Sequence, residues 1–276
     1  MSNFLRRCIL LFAILAVARV AVPAAESADV VILIGQSNMD GRGAVKYLPP
    51  DLQAPNPAFQ IFYRNPPFSS EGWKPLAPGF SVPPGYKGTT LPSGTFGCEL
   101  TFAPALAKLR PDLHLVLIKA SKGGTSLNKD WKPATRDEVA NQGPCYRNFR
   151  TTLTDALAAL PGTGHRLRGV VWHQGESDAG MPAEAYGKML TTFIARVRED
   201  LATPDLPFVI GEVYDNGNRD FVRAGQKDVG STVPKTAFVS CEGLVTFDKG
   251  THFDAAGQME FGRRYATALA GLLPHP

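Results

Sequence analysis

Apolar runs recur along this chain, and the longest of them end abruptly in short polar clusters. Val30-Val31-Ile32-Leu33-Ile34 is five consecutive aliphatic residues, four of them β-branched. Such an unbroken run predicts a strand buried on both faces. It breaks into Gly35-Gln36-Ser37-Asn38. Leu113 to Lys119 is a second buried strand, ending in Ala120-Ser121-Lys122-Gly123-Gly124-Thr125-Ser126. Arg168 to Trp172 is a third, running into His173-Gln174-Gly175-Glu176-Ser177-Asp178. Pro207 to Val213 and Thr236 to Ser240 complete the series. Phe59 to Tyr63 adds a strand inside a proline-rich stretch.

Between these runs the period changes to that of a helix. Leu100, Ala103, Leu106 and Ala107 share a face of a helix that ends at Arg110-Pro111-Asp112. Phe149 to Leu160 is closed by Pro161-Gly162. Ala183 to Leu201 lines up Tyr186, Met189, Leu190, Phe193, Ile194 and Val197 on one side. Phe221 to Val229 makes a short helix, and Asp254 to Leu273 a longer one with Asp254 as N-cap. Strands alternating with helices predict an α/β fold, a parallel sheet covered on both faces. Residues 38–93 stay irregular and proline-rich. Within them, Gly72 to Leu76 and Phe80 to Thr90 are expected to form a lid or rim, because long loops in compact domains are more often functional than idle.

Composition narrows the class. Hydrophobic residues make up 44% of the 276, enough for a large core. Arg6-Arg7, the apolar run Cys8 to Ala18 and the small residues around Val22-Pro23-Ala24 form an export-signal pattern. The expected organisation is therefore a signal at 1–24 and one domain over 25–276, secreted or periplasmic, with no membrane span in the mature chain. Loss of Arg6, Arg7 and Arg19 lowers the net charge from +4 to +1. With no basic stripe interleaved with aromatics, nucleic acid is not an expected partner. Cys98, Cys145 and Cys241 remain after the signal. An oxidising compartment could bridge one pair, and Cys98 with Cys145 is the pairing expected from their loop positions. No Cys-x-x-Cys or His-Glu-x-x-His spacing exists, so neither a metal nor a cofactor is expected.

The polar clusters all fall at strand ends, where ligands bind in open α/β sheets. Ser37 follows the first strand. His252 precedes the last helix. Glu176 and Asp248 are the acids available to orient a histidine, and Gly124 and Gln174 offer amide donors. Serine needs an imidazole to take its proton, the imidazole needs a carboxylate, and the oxyanion needs preorganised donors. These residues supply that inventory for acyl transfer.

The Gly-x-Ser-x-Gly elbow of common lipases is absent. Instead, Ile34-Gly35-Gln36-Ser37-Asn38-Met39, Lys122-Gly123-Gly124-Thr125-Ser126, His173-Gln174-Gly175-Glu176-Ser177-Asp178 and Thr251-His252-Phe253 resemble, in order, the blocks of the SGNH hydrolase superfamily. They look most like its carbohydrate-esterase branch, with the family 6 acetylxylan esterases and the sialate O-acetylesterase-like domains. The resemblance implies a flavodoxin-like three-layer α/β/α sandwich and removal of O-acetyl groups from an acetylated carbohydrate. It makes Ser37 the nucleophile and His252 the base. The N–H groups of Ser37 and Gly124 and the Gln174 side chain become the oxyanion hole. Gln36, Asn38, Gly123, Thr125 and His173 are expected to bind substrate. Gln174 stands where the broader superfamily has Asn. Lys249 occupies the position three before the histidine where that superfamily has Asp, and Asp248 stands four before. That departure shifts the expected orienting role from Asp248 toward Glu176. The competing readings are a lipid or thioester hydrolase and a non-catalytic sugar-binding protein on the same fold.

Overall fold

A computed structural model describes residues 27–135, 138–160, 162 and 164–275. The expected signal at 1–24 lies outside the described residues. The chain runs β1 (Ala28–Gly35), α1 (Ser37–Asp40), β2 (Gly43–Ala44), β3 (Asn56–Asn65), β4 (Phe68–Ser69), β5 (Lys74–Leu76) and β6 (Thr95–Phe96). It continues α2 (Glu99–Leu109), β7 (Leu115–Ser121), α3 (Pro144–Ala158), β8 (His165–His173), α4 (Ala183–Asp200), β9 (Phe208–Gly211), α5 (Asp220–Thr232), β10 (Thr236–Val239) and α6 (Ala255–Leu272).

Six strands lie parallel in the order β10-β9-β8-β1-β7-β3, with β4 and β5 antiparallel on β3. β1 is buried along its whole length. Its side chains alternate between two cores, as strand geometry requires. Val31 and Leu33 join Phe102 and Leu106 of α2 and Phe261 and Leu269 of α6. Val30, Ile32 and Ile34 join Phe149 of α3, Phe193 of α4 and Val222 of α5. The result is the three-layer α/β/α sandwich expected from the sequence.

The same division accounts for the cysteines. Cys98 packs in the first core and Cys145 in the second, so the sheet separates them. All three described cysteines are free and buried. The expected Cys98–Cys145 pairing is therefore corrected. α3 begins at Pro144, earlier than the apolar period suggests. Pro144 fits the first helical turn because its missing N–H needs no acceptor there.

Topology places the site. The chain leaves β1 for β3, returns to β7 beside β1, and then crosses to β8 on the other side of β1. That reversal opens a crevice outside the carboxyl ends of β7, β1 and β8. β10 lies three strands from β1, about 14 Å at the usual strand spacing. The segment between β10 and α6 doubles back across that distance, held by the Thr246–Phe253 bridge. Asp254 then caps α6, accepting from Gly257 N at 2.7 Å.

Candidate active site

Gly35 makes the turn that presents Ser37. Its φ is +149°, and a Cβ there would sit 2.1 Å from the His173 carbonyl oxygen. Only glycine lets β1 and β8 approach so closely at their ends. Ser37 is the first residue of the short helix α1. Its Oγ lies 3.0 Å from His252 Nε2, and His252 Nδ1 lies 2.5 Å from Asp248 Oδ2. Asp248 Oδ1 accepts from the N–H groups of Thr251 at 2.9 Å and His252 at 2.8 Å.

This geometry corrects the expectation that Glu176 orients His252. The extra residue between Asp248 and His252 is absorbed by a tight turn. Gly250 takes φ +78° and donates to the Asp248 carbonyl at 2.6 Å. Asp248 is thereby turned inward onto the imidazole. Burial pushes its carboxyl up, but the His252 and Thr251 N–H groups and the His252 ring outweigh that and hold it below the ordinary Asp value. Glu176 Oε1 instead accepts from Asn38 Nδ2 at 2.5 Å, with His173 Nε2 3.6 Å away. Burial pushes this carboxyl up too. His173, the Glu176 N–H and Asn38 bring it below its ordinary value.

A cleft of about 570 Å³ opens over Ser37. Gln36, Ser37, Gly123, Gly124, Glu176 and His252 line it, as the sequence suggested for a site at these strand ends. Among the described residues, the N–H groups of Ser37, Gly123 and Gly124 have no backbone acceptor. A first helical residue has no intrahelical partner, so the Ser37 N–H is free to face a ligand. A Cβ at Gly123 would meet Arg42 Nη2 at 2.9 Å and Ser37 Cβ at 3.5 Å, so a side chain there would crowd the serine.

Four expected site residues lie beneath the cleft rather than in it. Gln174 is fully buried. Its Nε2 donates to Thr125 O at 2.9 Å, Gln36 Oε1 at 3.2 Å and Asp178 Oδ2 at 2.5 Å, which leaves no donor for an oxyanion. Thr125 Oγ1 donates to Lys122 O and accepts from Trp131 Nε1. His173 pairs with Tyr265 and packs against Phe261. Asn38 spans to the backbone on both sides of His252. Buried polar groups need partners, and each of these has found one inside the protein.

Three residues that the motifs did not single out belong to the site. Asp40 is fully buried and accepts from Tyr63 Oη, Asn65 Nδ2, Ser121 Oγ, Arg42 Nη1 and Val82 N, at 2.6 to 2.9 Å. Arg42 reaches from Asp40 into the cleft wall. Arg219 lines the cleft and donates to Gly250 O at 2.7 Å. An acid and a base two residues apart after a buried strand were the available signal for the first two. Of the expected rim, Val82 to Tyr86 do line the cleft. Trp73 instead donates to Ala156 O, away from it. Phe68 and Tyr86 stand together in the cleft lining, their centroids 5.5 Å apart.

The doubly covered parallel sheet and the serine–histidine pair at its switch point define a hydrolase of the SGNH type. Residues 27–271 match the family described as carbohydrate esterase, sialic acid-specific acetylesterase, and the chain belongs to that family. It is a carboxylic ester hydrolase. A probable carbohydrate esterase of Arabidopsis thaliana is 27% identical over 257 residues, which cover 87% of this chain and 89% of the plant protein. The crystal structure of that plant protein superposes with a TM-score of 0.71 at 23% identity, covering 90% of this chain and all of that one. NanS gives 0.64 at 17% identity over 91% of this chain and 98% of its own. XAC1771, a carbohydrate acetylesterase from Xanthomonas citri, gives 0.62 at 19% identity over 89% of this chain and 56% of its own. These three share the fold. Among the described residues no helix is long and apolar enough to cross a membrane.

Proposed function

We propose that this esterase removes O-acetyl groups from a sugar through an acyl-enzyme on Ser37. The observation that carries the reading is the unbroken chain Asp248–His252–Ser37, with contacts of 2.5 and 3.0 Å, beside the N–H groups of Ser37 and Gly124. Ser37 Oγ attacks the acetyl carbonyl while His252 Nε2 takes its proton. The oxyanion is held by the N–H groups of Ser37 and Gly124, with Gly123 alongside. Collapse breaks the ester C–O bond, and His252 returns the proton to the departing sugar oxygen. Water, activated by the same imidazole, then releases acetate and restores Ser37. Asp248 keeps His252 in the tautomer that presents Nε2 to serine.

The charge of the cleft supports an acidic sugar over a neutral one. Arg42, Lys122 and Arg219 line it against one carboxylate, Glu176. Asp40 neutralises Arg42, but Lys122 and Arg219 are held by the carbonyl oxygens of Pro66 and Gly250. Phe68 and Tyr86 offer aromatic faces to a ring in the cleft. We read residues 25–276 as a single esterase domain exported behind a signal at 1–24.

The test is a serine-directed phosphonate together with a substrate panel. Label on Ser37 and acetate release from O-acetyl sialic acid, faster than from acetylated xylan, are the expected results. Faster cleavage of long-chain p-nitrophenyl esters would favour a lipid hydrolase. No hydrolysis and no label would leave a sugar-binding protein. N-terminal sequencing of exported protein should begin near Ala25.

A further inference from the structure

We propose that Asn38 and Glu176 form a positioning clamp that sets where His252 stands relative to Ser37. The proposal rests on the acyl-enzyme reading above. Asn38 follows Ser37 directly in α1, so its amide moves with the nucleophile. Asn38 Nδ2 donates to the Thr251 carbonyl at 2.8 Å, and Asn38 Oδ1 accepts from Phe253 N at 3.1 Å. One side chain thus grips the backbone on both sides of His252. The histidine comes from a loop returning from the far edge of the sheet. The Asn38 amide ties that loop's backbone to the turn that carries the serine.

Glu176 reinforces the way the amide faces. An ionised carboxylate only accepts, so Asn38 must present its NH2 there. The second hydrogen of that NH2 serves Thr251 O, and Oδ1 is left for Phe253 N. With the amide reversed, an NH2 would meet the Phe253 N–H and a carbonyl would meet the Thr251 oxygen. Both grips would be lost. Behind Glu176, His173 Nε2 lies 3.6 Å away and His173 Nδ1 lies 2.5 Å from Tyr265 Oη. Asn38, Glu176, His173 and Tyr265 are all buried, so these contacts face little competition from water.

The test is a double-mutant cycle on the full chain with p-nitrophenyl acetate. A misplacement of the base by about 1 Å costs on the order of 10²-fold, so Asn38→Ala should lower kcat by about that much with KM little changed. In a His252→Ala background no base remains to be misplaced. There the same change should alter kcat by less than about threefold, the mark of residues that act as a unit. The isosteric Glu176→Gln should lower kcat by about 10-fold and lose that effect in the same background. It carries the test if Asn38→Ala does not fold. Equal losses with and without His252, or a loss confined to KM, would overturn the clamp. Near-normal activity in His252→Ala alone would overturn the triad reading itself, and the clamp with it.

Discussion

Asp40 stands three residues after Ser37, and Asp248 stands four before His252. Asp40 is fully buried and takes donors from β3, β7, the long loop and its own segment. Asp248 has a side chain 32% exposed, and its donors are the N–H groups and imidazole of its own loop. The Asp40 carboxylate beside Ser37 is therefore held by the whole domain, the Asp248 carboxylate beside His252 by its own loop. Removing Asp40 disturbs packing across several elements. Removing Asp248 disturbs the hydrogen bonds of one loop, two from its N–H groups and one from its ring. On the proposed mechanism, one carboxylate builds the site and the other works in it.

Mutation sharpens that contrast, beginning with the residue both halves serve. Ser37→Ala should lower kcat by about 10⁶-fold, as loss of a triad nucleophile does, while the melting temperature stays close to that of the parent. Steady-state kinetics and a thermal melt on one preparation check both parts. Asp248→Asn should cost about 10⁴-fold in kcat through the wrong imidazole tautomer, again with little loss of stability. A larger kcat loss from Glu176→Gln than from Asp248→Asn would return the orienting role to Glu176.

Asp40→Asn should act the other way round. It leaves Arg42 without its buried partner, which costs about 3–5 kcal/mol of unfolding free energy by urea titration. Acid should show the same asymmetry more gently. Burial raises the Asp40 carboxyl, but Arg42, Lys119 and Tyr63 outweigh it and hold the group below its ordinary value of 3.8. A lowered carboxyl contributes stability that is fully present above 3.8 and is lost as pH falls through the lowered value. Urea midpoints between pH 5 and pH 3 should fall in the parent and fall less in Asp40→Asn. The smallest effect concerns the thiols. With Cys98, Cys145 and Cys241 free, a reductant should leave the melting temperature unchanged, and a thiol reagent should react with them only after unfolding.

Period and breakers carried most of the fold. The strands at Val30, Leu113, Arg168, Pro207 and Thr236 and the helices between them follow from aliphatic runs and a 3.6-residue repeat. The two short strands on β3 and the ribbon of β2 and β6 carry too few residues for a period to register. The site was legible where backbone chemistry marks it, at Gly35-Gln36-Ser37, Gly123-Gly124 and His252. It was illegible where a side chain's direction decides. Gln174 and Glu176 sit at a strand end, and nothing in their spacing says that Gln174 turns under Gln36 and Glu176 toward Asn38. The direction of Asp248 is hidden in the sequence for the converse reason. A count of residues to His252 does not register that Gly250 can fold one of them away.

The return of His252 from beyond β10 has a consequence for the life of the chain before it is finished. During synthesis Ser37, the glycine pair and the whole parallel sheet emerge before His252. On the acyl-enzyme reading proposed above, a chain stopped short of Asp248 carries Ser37 with nothing to deprotonate it. On that reading such unfinished copies are inert, and activity appears only once the segment carrying Asp248 and His252 has packed beside Ser37.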